Sequence, residues 1–187
     1  MASRFDIIET PIQGLNVIQR KPLGDSRGYL ERLFCQTDFA ELLKGQTISQ
    51  INHTLTATTG TIRGMHFQLP PYAETKFVQC LKGEVYDVAV DVRTDSPTFL
   101  SYHAEILSAS NHKTFLIPKG FAHGFQTLTE DCEMLYFHSS PYNSNAEGAL
   151  NALDQKLAIQ WPLKVTEQSK RDKEHPMINL DFHGVLV

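Results

Sequence analysis

Short segments in which apolar and polar residues alternate, or in which apolar residues run together, recur along this chain. Clusters of glycine, proline and asparagine separate them. Residues 16–18, 29–34, 61–67, 76–81, 85–92, 102–107, 113–117, 124–128 and 133–138 read as strands. Turn signals fall at Thr59-Gly60, Lys82-Gly83 and Asp95-Ser96-Pro97, and again over 108–111 and 129–131. Many short strands with regularly spaced turns predict an all-β sandwich or barrel. Within 85–92, Tyr86, Val88, Val90 and Val92 share an apolar face, while Asp87 and Asp91 join Val85 and Ala89 on the other. Two carboxylates on that second face suit either a lumen or a solvated surface.

Helix is scarce. Residues 36–43 predict one short helix with Thr37 as N-cap, and residues 154–157 a second. The tail beyond Trp161-Pro162 is polar and charged through Lys173. With no internal repeat, low-complexity tract or linker, one domain over 1–187 is expected.

Composition narrows the function classes. Hydrophobic residues make up 41% and charged residues 20% of 187, an ordinary globular balance. A net charge of −4 argues against a nucleic-acid partner, which demands a basic footprint, but leaves room for a local phosphate pocket. The three cysteines lie far apart with no CxxC spacing, so they predict reduced thiols and not a disulfide framework or zinc site. No signal-peptide pattern opens the chain and no apolar run reaches the length of a membrane span, so a cytoplasmic location with no membrane partner is expected.

Two histidine-bearing segments stand out against this background: Ile62-Arg63-Gly64-Met65-His66-Phe67-Gln68 and Pro118-Lys119-Gly120-Phe121-Ala122-His123-Gly124-Phe125. Histidine titrates nearest neutrality and is the natural base for a weakly acidic C–H. Regular alternation puts Arg63 and His66 on opposite faces, unless Gly64 marks a bulge. Lys76 could stabilise a developing enolate oxygen. Arg27 and Arg63 are candidates for the forked grip on phosphate, and Tyr136 for a proton donor. Each also has an ordinary use, as a surface ion pair or a core aromatic. Metal binding is the rival use for the histidines. However, Gln68 is a poor ligand, Lys76 repels a cation, and His66 with His123 falls short of the three ligands a catalytic ion normally takes.

The ordered set of these motifs resembles the dTDP-4-dehydrorhamnose 3,5-epimerase family, sugar-nucleotide epimerases of cupin-like jelly-roll fold. The resemblance runs from Asp25-Ser26-Arg27-Gly28 through Gln50-Ile51-Asn52, 62–68, 83–92, Ser96-Pro97-Thr98-Phe99 and 117–125 to Ile159-Gln160-Trp161-Pro162. It implies that His66 is the catalytic base and Asp172 its orienting partner. It further implies that Lys76 polarises a C4 keto oxygen and Tyr136 returns a proton on the opposite ring face. Arg27, Arg63, His123, Gln50, Asn52 and Arg171 would hold the nucleotide diphosphate and sugar, with Tyr142 against the base and Glu147 at another contact. A homodimer formed by exchange of N-terminal strands is implied as well, with no metal, nicotinamide or flavin.

The chain departs from the family pattern in four places. Arg32 stands where a glutamate is usual, with Glu31 one place earlier, and Ala152-Leu153-Asp154-Gln155 keeps only the aspartate of a usual motif. Arg171 and Phe137 each replace a lysine. These departures leave open which nucleotide is bound and whether C3, C5 or both are inverted. A sugar-nucleotide-binding module without turnover and a metal-dependent cupin oxygenase are the alternative classes.

Overall fold

The computed structural model describes residues 3–187. Six strands make one antiparallel sheet. In spatial order they are β1 (Phe5–Glu9), β2 (Asn16–Arg20), β10 (Lys113–Ile117), β7 (Lys76–Lys82), β12 (Cys132–His138) and β5 (Gln50–Thr56). Five make a second: β13 (Glu147–Ala149), β6 (Ile62–Gln68), β11 (Phe121–Thr127), β8 (Glu84–Asp91) and β9 (Tyr102–Ser108). A two-stranded hairpin, β3 (Leu23–Asp25) with β4 (Gly28–Leu30), stands apart. The two large sheets form an all-β sandwich, as the alternating pattern predicts, of the cupin-like kind that the resemblance implies. Among the described residues no helix is long and apolar enough to cross a membrane.

Three apolar layers follow from the strand faces. Val78, Cys80, Phe115, Ile117 and Met134 of the first sheet meet Val85, Ala89, Leu107 and Phe125 of the second in the central core. Val88, Val90, Met65 and Ala122 point the other way and are roofed by Leu150, Leu157, Ile178 and Val185 of the C-terminal tail. The outer face of the first sheet, through Ile18, Phe77 and Phe137, is covered by Phe39 and Leu43. Both faces of β8 are therefore buried, and Asp87 and Asp91 are wholly enclosed. Of the two readings open for them, the lumen is the one observed. Cys80 and Cys132 are buried and Cys35 half-buried, all three free.

The helices depart from expectation. Helix α1 spans only Ala40–Leu43, with no side-chain cap from Thr37. Phe39 is the reason: it packs 5.1 Å from Phe77 and 4.5 Å from Phe5, and this aromatic anchor holds the preceding residues as turns. Residues 155–157 form a turn, because the Asp154 carboxylate accepts the Lys156 N–H at 2.7 Å and so closes a local loop. The strand expected over 29–34 stops at Leu30, beyond which Phe34 leaves to stack on Phe137 at 5.4 Å. One helix went unseen in the polar tail: α2 (Lys170–Lys173), N-capped by Ser169, whose hydroxyl accepts the Asp172 N–H at 3.0 Å.

The Ser96-Pro97-Thr98 segment has a structural use. Asp91 accepts the Ser96 and Thr98 hydroxyls, each at 2.6 Å, and the Arg93 guanidinium at 2.7 and 2.9 Å. Burial alone would raise this carboxyl, but Arg93, Ser96 and Thr98 outweigh it and hold it below its ordinary value. A depressed folded pKa means stabilisation that is complete above the unfolded value and lost as pH falls through the folded one. Asp91→Asn should therefore lower the unfolding free energy at neutral pH by about 3 kcal/mol, the low end for breaking a buried pair because Arg93 keeps some solvent. Urea unfolding of both proteins at neutral pH and at about pH 3 checks this; the gap should shrink at the acid end.

Candidate active site

A cleft of about 850 Å3 opens between the sheets. The second sheet contributes Arg63 and His66 from β6 and His123 from β11. The first contributes Asn52 from β5, Lys76 from β7, and Tyr136 and His138 from β12. Arg171 and Asp172 of α2 close one side.

Arg63 and His66 reach the same cleft because β6 is bulged. His66 pairs with His123 and Arg63 with Phe125, so three steps on β6 answer two on β11. Gly64 makes this possible. Its φ is +131°, and a Cβ there would stand 2.5 Å from Gly124 Cα and 2.8 Å from the His123 carbonyl oxygen. Met65 consequently turns inward beneath the C-terminal tail, wholly buried. Gly64→Ala should lose about 2–5 kcal/mol of stability, from strained backbone plus overpacking. Denaturant unfolding measures it, and a change within about 0.5 kcal/mol, the range of an ordinary surface substitution, would refute the close approach.

His66 is half-buried, and its Nε2 lies 2.9 Å from Asp172 Oδ1. Since Nε2 faces a carboxylate, the Nε2–H tautomer is assigned. Its Nδ1 then carries the lone pair and has no protein partner among the described residues. Asp172 is buried; burial would raise its carboxyl, but the His66 hydrogen bond and charge, with Ser169 and the Gly64 N–H, hold it below the usual range. It is thus an anion at neutral pH, suited to orient an imidazole and stabilise its protonated form.

On the facing wall, Lys76 is buried and paired with Glu74 at 3.2 Å. The other Glu74 oxygen meets His138 Nδ1 at 2.9 Å, and His138 Nε2 lies 3.4 Å from the Asn52 amide. Burial would raise Glu74, yet His138 and Lys76 outweigh it and hold the carboxyl below its ordinary value, so it stays ionised. Tyr136 lies between two imidazoles, its ring 6.1 Å from His123 and 6.1 Å from His138. Burial pushes its phenol well above the ordinary value, so it stays protonated. His123 Nε2 meets Asp87 Oδ1 at 2.8 Å; burial raises the Asp87 carboxyl despite His123 and Lys76.

The remaining expected residues are scattered. Glu147, Tyr142 and Arg171 form a chain, with Arg171 3.1 Å and the Tyr142 hydroxyl 3.2 Å from one Glu147 oxygen. Gln50 accepts the Tyr142 N–H at 3.0 Å and donates to Asn52 at 3.0 Å. Of these, Asn52 and Arg171 line the cleft, while Gln50, Tyr142 and Glu147 reach it only through hydrogen bonds that lead to those two. Arg27 is not there: it sits exposed on the β3–β4 hairpin, paired with Asp25. The departure at 31–32 is also remote, since Glu31 is held by Arg20 at 3.0 Å and His112 at 2.9 Å.

Four residues of the site escaped sequence reasoning. His138 shares the face of Tyr136 at strand spacing, a signal that could have found it. Asp87 was visible as a carboxylate on an inward face but had no assigned partner. Glu74 precedes β7 in a loop and carries no pattern. His175 follows Asp172 by three residues, a helical spacing legible only once α2 is known.

The sequence profile of the dTDP-4-dehydrorhamnose 3,5-epimerase family matches residues 9–179. A dTDP-4-dehydrorhamnose 3,5-epimerase of Salmonella typhimurium is 38% identical over 175 residues, 92% of this chain and 95% of that protein. The crystal structure of a dTDP-6-deoxy-D-glucose-3,5-epimerase from Legionella pneumophila, in complex with dTDP-4-keto-L-rhamnose, is similar with a TM-score of 0.89 at 38% identity, covering 95% of this chain and 94% of that one. A 3'-monoepimerase from Streptomyces bikiniensis in complex with dTDP-quinovose is similar at 29% identity and a TM-score of 0.82, covering 91% and 86%.

Proposed function

The chain belongs to the dTDP-4-dehydrorhamnose 3,5-epimerase family and is an isomerase, and from that premise we propose how its own residues invert a carbon beside a keto group. The substrate is a dTDP-linked 4-keto-6-deoxyhexose. Its keto group acidifies the hydrogens at C3 and C5, because the resulting carbanion delocalises onto oxygen. His66 removes the proton at Nδ1, with Asp172 holding Nε2 and stabilising the imidazolium. Lys76, fixed by Glu74, supplies positive charge to the enolate oxygen. Tyr136 donates a proton from the opposite face. Arg63, His123, Asn52 and Arg171 hold the diphosphate and sugar.

The observation carrying this reading is that an imidazole on one sheet, backed by a carboxylate of α2, and a protonated phenol on the other sheet line one cleft. Epimerisation needs a base and an acid on opposite faces of a ring, and a binding module needs neither. The test is NMR of the product of dTDP-4-keto-6-deoxyglucose in deuterated buffer. Deuterium with inversion at both C3 and C5 supports the full reaction, inversion at C3 alone places the chain with monoepimerases, and no exchange overturns the proposal.

The working assembly is a homodimer. Ile7 and Ile8 on β1 and Leu23, Tyr29 and Leu30 on the hairpin are exposed apolar residues on the segment expected to exchange. Arg27 lies on that same hairpin and away from its own cleft, so its expected role at the diphosphate requires the cleft of a second copy. Sedimentation as a monomer at micromolar concentration overturns the assembly.

A further inference from the structure

His175 takes no part in the proton transfers above, yet its Nε2 lies 3.2 Å from His66 Nε2 and 3.3 Å from Asp172 Oδ1. With His66 Nε2 2.9 Å from the same oxygen, the three atoms form a nearly equilateral triangle. Two ligands held about 2.0–2.1 Å from a tetrahedral zinc ion lie about 3.3 Å apart, and two imidazoles so held have ring centres about 5.2 Å apart. The His66 and His175 rings are 5.2 Å apart and perpendicular, at 88°. Without an ion the same arrangement is awkward: two N–H groups converge on one oxygen and face each other.

We propose that His66, His175 and Asp172 form a reversible site for a divalent transition cation of the zinc class, whose occupancy switches the enzyme off. Two imidazoles and one carboxylate suit zinc or cobalt and not the hard oxygen-seeking cations. His66 is open to the cleft, which gives the ion a path in and leaves its fourth position to water. Arg171, whose charge is felt at His175, is paired with Glu147. Inhibition follows from the tautomer. An ion on Nε2 takes that lone pair and leaves the ring proton on Nδ1, so the atom assigned to receive the substrate proton is already protonated. Asp172 is withdrawn from its orienting role in the same event. The inhibitory step rests on the reading of His66 as base; binding of the ion does not.

Cobalt(II) is the probe for binding. Chelator-stripped full-length protein should take up one equivalent with the strong visible absorption of tetrahedral cobalt, and zinc should displace it. Loss of an outer-sphere partner alone weakens metal sites about 10–100-fold, so His175→Gln, which loses a direct ligand, should weaken binding by at least about that factor. Zinc should raise the unfolding temperature of the wild type and leave that of His175→Gln unchanged, a readout independent of activity. No tetrahedral spectrum, or undiminished affinity in His175→Gln, overturns the site. Stoichiometric cobalt binding without chelator-reversible loss of epimerisation keeps the site and overturns the inhibition, and with it the assignment of Nδ1.

Discussion

His66→Gln should lower kcat for epimerisation by about 10²–10⁴-fold and abolish solvent deuterium exchange at every labile carbon together. The amide keeps a donor for Asp172, so the buried carboxylate is not abandoned, and it cannot accept a proton at neutral pH. The loss should fall on kcat and kcat/KM alike, because the missing interaction forms only as the C–H bond breaks. Asp172→Asn should fall in the same direction but less far, since it leaves a base that is poorly oriented and whose imidazolium is unsupported. Exchange surviving in His66→Gln at one carbon and not the other would mean that a second base serves that carbon. His123, backed by Asp87 in the same cleft, is then the group to mutate. A single imidazole on β6 predicts joint loss; two imidazole–carboxylate pairs acting separately predict a split.

The legibility of this site in the sequence follows from where its residues stand. Residues on strands were readable because alternation fixes their faces: Tyr136 on β12 and Lys76 at the start of β7 point where period two places them, while His123 lay one residue outside the strand expected over 124–128 and joins it because β11 begins at Phe121. His66 and Arg63 required the bulge, which Gly64 signalled, but the close approach of Gly124 that demands a glycine came only from the packing. Residues off the strands were not readable by pattern. Asp172 rides on a helix of four residues, too short to leave a hydrophobic period, and Glu74 lies in a loop. The aromatic cluster about Phe39 overrode local preference at α1, because burying large rings outweighs the weak propensity of a few helical residues. Arg27 shows the limit from the other side: its motif is intact, and its place in this chain is solvent.

The functional departures from the family pattern can be weighed in the same way. Phe137 replaces a lysine but points away from the cleft, into the aromatic layer against Phe34. It bears on the stability of the outer layer and not on the cleft that Tyr136 lines beside it. Arg171 does line the cleft and is held by Glu147, so of the four departures it is the one that meets this chain's own cleft. On the proposed reading, a fork replacing an ammonium there should change how a diphosphate is gripped and leave the proton transfers as they are.

Tyr136→Phe divides the reaction where His66→Gln stops it. The phenol is held protonated by burial, so at neutral pH it can give up a proton but not act as the base. Removing the hydroxyl should slow epimerisation by about 10²–10⁴-fold. Abstraction by His66 requires only the base and the charge that Lys76 offers the enolate, so deuterium should still enter the recovered substrate with configuration retained, delivered back from the face it left. The fold should tolerate the change, since a ring of the same shape remains in the inter-sheet core. Equal loss of exchange and of inversion would mean that the phenol assists abstraction itself and that the two steps share one transition state, and it would remove Tyr136 from the role of opposite-face acid.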